Sequence, residues 1–216
     1  MKNIAGKKIL ISLGGTYEAI DSVRGISNKS SGKMGFELAK EAYIRGADLT
    51  LVVANVDIEI SSIFNIIKVE SSKEMNDVIL DIIPDFDIYI STAAISDFAP
   101  INAENSKISS SDSISLSFKP TVKIIRKIKK INPDIFLVGF KAEYDISKKE
   151  IIYCAKKQIE MAGTDLVVAN DISKKNCNFG SDNNEVYLID ENILKVPLSS
   201  KKELSKIIFD EISKKI

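Results

Sequence analysis

The sequence predicts an α/β fold: a Rossmann-like three-layer sandwich built on a largely parallel sheet. Short β-branched runs alternate with segments of helical spacing along almost the whole chain. The small and polar residues that interrupt this pattern fall just after the strand-like runs, where open α/β sheets bind their ligands. With no internal repeat or linker, residues 1–216 form a single domain.

The elements follow in order. Residues 7–13 (KKILISL) have the basic entry and apolar run of a buried strand, broken by Gly14-Gly15-Thr16. An irregular polar stretch through Ser31 precedes a helix from Gly32 to Gly46. Residues 48–54 and 66–69 are strands, and a serine cap opens a helix over 71–82. Residues 87–92 form a strand running into Ala93-Ala94. Residues 96–113 are loop, with 105–113 a mobile flap, and 115–118 alternate as a strand. A basic helix spans 121–131 and ends at Asn132-Pro133. Then come a strand at 136–140, a helix at 147–162 stopped by Gly163, strands at 165–169 and 185–190, and an amphipathic helix at 201–214.

Composition removes several kinds of chemistry. Thirty basic residues balance thirty acidic ones, so no global charge favours nucleic acid or an anionic membrane. The run Lys123–Lys130 has no interleaved aromatics for stacking on bases. No apolar run reaches the length of a membrane span, and the N-terminus lacks a signal-peptide pattern, so a cytoplasmic location is expected. Cys154 and Cys177 match neither a disulfide framework nor a zinc site. The chain has no histidine, which excludes Ser-His-Asp and Cys-His catalysis.

The strand ends carry the candidate site. Gly14-Gly15-Thr16 suits either a tight βα turn or close backbone approach to an anion. Residues 28–34 (NKSSGKM) offer amide, hydroxyl and ammonium donors at a helix start, suited to phosphate or carboxylate. They resemble a P-loop only superficially: Met34 stands where Ser or Thr is needed, and Ser27 where the first glycine belongs. The fingerprint G-x-G-x-x-G is missing as well, which argues against a nicotinamide-dependent reductase. Asp97 could hold a ribose hydroxyl, a base amino group or magnesium, or be a plain surface turn. Lys107 is either solvated or able to close over a phosphoryl centre. Lys119-Pro120-Thr121 reads as the start of the basic helix. Residues 179–184 (FGSDNN) read by default as a turn.

In their order, these motifs resemble the phosphopantothenate–cysteine ligase family, which in many bacteria and archaea is fused behind a flavin-dependent decarboxylase. The resemblance runs through residues 13–35 (LGGTYEAIDSVRGISNKSSGKMG), 92–100 (TAAISDFAP), Lys107-Ile108, 138–143 (VGFKAE), 165–173 (DLVVANDIS) and 179–190, nearly the whole chain. It implies a ligase using CTP (or ATP) with magnesium. The pantothenate carboxylate attacks the α-phosphate, giving an acyl-nucleotidylate and pyrophosphate. The cysteine amine then displaces the nucleoside monophosphate, with no protein nucleophile.

By the same resemblance, Asn28 and Lys107 are catalytic. Gly14, Gly15, Thr16, Arg24, Asn28, Ala93 and Ala94 bind substrate or intermediate. Asp97, Lys107, Lys119, Pro120, Thr121, Val122 and Phe140 bind the nucleotide; the metal ligands stay unknown. The family implies a homodimer, small-molecule substrates, and either a separate phosphopantothenoylcysteine decarboxylase partner or excision from a fusion. Two positions depart from the bacterial pattern: Gln158 and Ala162 replace nucleotide-binding lysines, and Ser109-Ser110 replace lysines after Lys107-Ile108. The competing reading is a homologue that binds nucleotide without turnover.

Overall fold

A computed structural model describes residues 4–110 and 113–216. Among these, eight strands form one sheet in the order β12-β11-β10-β9-β6-β1-β4-β5. Its parallel part comprises β1 (Lys8–Leu13), β4 (Asp48–Val53), β5 (Asn65–Lys68), β6 (Ile88–Ser91), β9 (Phe136–Glu143) and β10 (Leu166–Asp171). Counting only these six, the order is 3-2-1-4-5-6, the doubly wound arrangement of the expected Rossmann-like sandwich. The antiparallel pair β11 (Asn183–Ile189) and β12 (Ile193–Ser200) extends one side.

Alternate residues of each strand face opposite layers. Ile9, Ile11 and Leu13 of β1 share a core with Leu38 and Ala42 of helix α1 (Lys33–Ile44) and Leu204, Ile208 and Phe209 of α5 (Lys201–Ser213). Leu10 faces the other way, toward Met75 and Ile79 of α2 (Ser72–Ile82) and Ile128 of α3 (Ile125–Ile131). Helix α4 (Lys148–Ala162) covers β10 on its own cluster, with Ile151 and Ala155 against Val167 and Ala169. Each such side chain, withdrawn from water, contributes roughly 1.5–3 kcal/mol, which is what holds the three layers together. The one buried polar pair inside β1 and β6, Ser12 Oγ and Tyr89 Oη at 2.9 Å, is mutually satisfied.

Several elements depart from expectation. The polar stretch after β1 contains a hairpin, β2 (Tyr17–Ala19) and β3 (Gly25–Ser27). Within the expected loop 96–113 lies β7 (Phe98–Pro100), which pairs with β8 (Phe118–Pro120). The expected strand at 115–118 is thus shifted toward the C-terminus. Lys119-Pro120-Thr121 does not open the basic helix: Lys119 pairs with Ala99, Thr121 N donates to the Asp97 carbonyl, and α3 starts at Ile125. Strand β12 was not expected at all; Pro197 lies within it, and its pairing with β11 shifts register between Asn184 and Val186. Residues 1–3 of the N-terminal reading and 111–112 of the flap lie outside the described residues.

Candidate functional site

The strand order reverses between β1 and β6, the switch point beyond whose carboxyl ends such sheets bind ligands. Past the strand ends the two chains stay bridged: Ala94 N donates to the Gly14 carbonyl at 2.8 Å, and Thr16 N to the Ala94 carbonyl at 3.2 Å. Gly14 has φ +88°, and a Cβ there would stand 2.5 Å from the Asn55 carbonyl oxygen, so no other residue fits. Gly35, in the first turn of α1, permits a similarly close approach; a Cβ would meet Thr92 Oγ1 at 2.4 Å and Leu13 Cβ at 2.6 Å. The helix therefore starts directly over the switch point.

Above this floor opens a cleft of about 270 Å³. Asn28, Ser31, Gly32 and Lys33 line one wall, Ala93 and Ala94 the base, and Phe140, Asn170, Asn184 and Lys201 the other. Asn28 Nδ2 donates to the Ala94 carbonyl at 3.3 Å, placing its amide across the switch point. Gly32 at the N-cap of α1 has no side chain to offer, and although Lys33 N makes a long bond of 3.5 Å to Ser31 Oγ, the positive end of the helix faces the cleft, where an anion would be stabilised. Asn170 Nδ2 donates to Asn184 Oδ1 at 3.2 Å and fixes the far wall.

Two ammonium groups converge on the same mouth. Lys33 Nζ donates to the Gly180 carbonyl at 2.9 Å and to Asp182 Oδ1 at 2.7 Å. Lys201 opens α5 and is only 5% exposed; its Nζ donates to the carbonyls of Phe179, at 3.1 Å, and Ser181. Burial, reinforced by the Lys33 charge, lowers the Lys201 pKa to about 8. Ser31 Oγ also donates to the Phe179 carbonyl, at 2.7 Å, so the turn at 179–182 is held from α1, from α5 and from the loop before α1. The two lysines share a single carboxylate, Asp182, leaving the mouth positive.

The structure divides the sequence-predicted residues into four groups. Asn28, Ala93, Ala94 and Phe140 line the cleft, with Gly14, Gly15 and Thr16 bonded beneath it. Arg24 and Lys107 lie outside it but near one another: Arg24 Nη1 donates to the Ile108 carbonyl at 3.2 Å, and Lys107 is exposed. Lys119, Pro120, Thr121 and Val122 line a separate groove of about 390 Å³ between the hairpins and α2. Asp97 lines neither cavity; it is exposed and paired with Lys123, and its carbonyl accepts from Thr121 N.

Lys33 belongs to the donor-rich stretch 28–34 and Asn184 to the turn 179–184 read from the sequence, whereas Lys201 and Asn170 are not among the expected site residues. One signal pointed to Lys201: a lysine in the first turn of a helix opposes the helix dipole, so such a placement calls for an anion. Gln158 and Ala162 do not reach the cleft. Ala162 is buried, and the Gln158 amide nitrogen packs over Gly139 without a hydrogen-bond partner. Among the described residues no group of three or more His, Cys, Asp or Glu could hold a metal, and no helix is long and apolar enough to cross a membrane.

Fold and cleft together define a doubly wound α/β domain whose switch point gathers amide and ammonium donors. The family model of the DNA/pantothenate metabolism flavoprotein C-terminal domain matches residues 4–216, and the chain belongs to this family. It is 43% identical over 216 residues to the coenzyme A biosynthesis bifunctional protein CoaBC of Thermococcus kodakarensis, covering 99% of this chain and 52% of that protein. The chain thus spans about half the length of the curated relatives it matches. A solved DNA/pantothenate metabolism flavoprotein from Streptococcus pneumoniae superposes with TM-score 0.84 at 28% identity, covering 96% of this chain and 98% of that one. The solved C-terminal domain of a CoaBC protein superposes with TM-score 0.82 at 27% identity, covering 99% and 97%. The family resemblance read from the motifs and the Rossmann-like fold are both borne out.

Proposed function

We propose that this chain joins 4'-phosphopantothenate to L-cysteine in coenzyme A biosynthesis, through an acyl-nucleotidylate formed from CTP, with ATP the alternative. The observation that carries this reading is the meeting of Lys33 and Lys201 with the positive end of α1 at the switch point. A site made of donors and cations, in a chain without histidine, suits a reaction that needs charge stabilisation and positioning rather than a protein nucleophile.

In this reading the nucleotide phosphates lie against α1, Lys33 and Lys201, beside Phe140. The reacting carboxylate lies over Ala93 and Ala94 within reach of Asn28. Its oxygen attacks the α-phosphorus and pyrophosphate leaves. The cysteine amine then attacks the acyl carbon, loses a proton to solvent, and expels the nucleoside monophosphate. Asn28 holds the intermediate, with Arg24 binding its anionic part and Lys107 closing on the developing charge. Asp97 and Lys119–Val122 contact the nucleoside side. Among the described residues no group of carboxylates is gathered to hold a magnesium ion by itself, so one would arrive on the triphosphate, keeping most of its waters. When bound, it neutralises phosphate charge.

The reading includes a homodimer and small-molecule substrates, and a decarboxylase, separate or fused, to consume the product. Val23, Ile26, Phe98, Ile101 and Phe118, on or beside the two hairpins, are exposed and apolar, as a partner-covered surface would be. The inward turn of Gln158 and the burial of Ala162 favour the second reading, nucleotide binding without turnover, because neither residue supplies a charge to the site. The deciding experiment measures pyrophosphate release with magnesium, 4'-phosphopantothenate and cysteine, with CTP and ATP in parallel. Release dependent on phosphopantothenate supports the ligase; none from folded protein with either nucleotide overturns it.

A further inference from the structure

Asp21 has no role in the chemistry above, yet its carboxylate is one of the most heavily bonded groups in the molecule. Its side chain is fully buried at the turn of the β2–β3 hairpin. Oδ1 accepts from Val23 N at 2.8 Å and Arg24 N at 2.7 Å. Oδ2 accepts from Arg24 Nη1 at 2.8 Å and from Ile108 N, eighty-seven residues away, at 3.1 Å. Arg24 Nη1 also donates to the Ile108 carbonyl, at 3.2 Å, and Glu104 N donates to the Ile20 carbonyl at 2.9 Å. The segment carrying Lys107 is therefore tied to the hairpin on both sides of that lysine. Burial alone would push the Asp21 carboxyl up, but the N–H groups of Val23, Ile108 and Arg24 and the Arg24 charge hold it below the usual carboxylate range.

We propose that Asp21 is a positioning residue for the ligation: it orients Arg24 and sets the register of the 104–108 segment, so that Arg24 and Lys107 act on one intermediate. This rests on the ligase reading. Both oxygens are engaged by N–H donors, so an amide in place of the carboxylate must turn its own N–H₂ toward a donor and break one side of the clamp. A small misplacement of a charged group costs far more in rate than in binding.

The test reads pyrophosphate and amide product separately in the full chain carrying Asp21→Asn. The first half-reaction does not need the clamp, whereas the second does. The expected result is amide formation slowed about 10- to 100-fold, with pyrophosphate release changed by less than about threefold. Ile108→Pro removes the bridging donor from the flap side, leaves the hairpin intact, and should reproduce the uncoupling. It also decides the matter if Asp21→Asn does not fold. Equal losses in both half-reactions, or wild-type behaviour, would overturn the positioning role. Wild-type protein that releases no pyrophosphate would instead overturn the ligase reading on which the role depends.

Discussion

Single residues set the chemistry of the cleft. Lys201 keeps its charge at neutral pH but titrates near pH 8, because burial and Lys33 both disfavour the ammonium. Nucleotide affinity should therefore weaken as pH rises from 7 to 9, and titration calorimetry across that range checks it; Lys201→Met should bind weakly at both pH values. The folded-state pKa is lowered, so the unfolded chain binds more protons between about pH 8 and the ordinary lysine value. Over that window the Lys201 contribution makes the apo protein more stable as pH rises, opposite to its effect on binding. Gly14 is constrained sterically: Gly14→Ala combines a left-handed backbone with a collision against Asn55 and should cost at least about 2 kcal/mol in denaturant unfolding. Asn28→Asp sets a negative charge beside an anionic ligand and should raise KM for phosphopantothenate; unchanged kinetics would remove Asn28 from the site.

Among the elements, α5 does more than cover the sheet, because its first residue is Lys201. Ser200 and Glu203 form a capping box that fixes where this helix begins. Ser200→Ala should cost about 1 kcal/mol of stability and loosen nucleotide binding, whereas Ser147→Ala in the matching box of α4 should cost stability alone. The central strands were legible because LISL, LVVA and LVVA are apolar runs bounded by turn formers, which only a strand buried on both faces accommodates. The short hairpin strands were not. Tyr17-Glu18-Ala19 is too brief for a periodic signal and exists because Asp21 closes its turn. The basic helix was placed four residues early because Lys119-Pro120 satisfies a helix-start rule locally, while tertiary pairing with β7 takes those residues instead. Of the candidate site, the glycine floor and Asn28 could be read from strand ends. Lys33 could be read as a donor at a helix start, but not its meeting with Lys201, since their convergence requires α1 and α5 to pack on the same face of the sheet.

On the scale of the molecule, the candidate machinery is divided between the sandwich, which carries the cleft, and the two hairpins, which carry Arg24, Lys119 and the approach to Lys107. Lys107→Ala should still release pyrophosphate but fail to complete the amide; full product formation would exclude its role. If the hairpins meet a second copy, Phe98→Asp should yield monomers by light scattering and lower activity at dilute protein, while leaving the thermal unfolding of the sandwich nearly unchanged. The sheet margins point the same way. At one margin β12 carries Pro197, which has no N–H to offer, an exposed Lys195, and a neighbour whose register slips beside Glu185. At the other, β5 has only four residues and ends in Lys68. Neither margin of the eight-stranded sheet is a good template for another strand, so end-to-end joining of these sheets, the first step toward a fibril, is disfavoured.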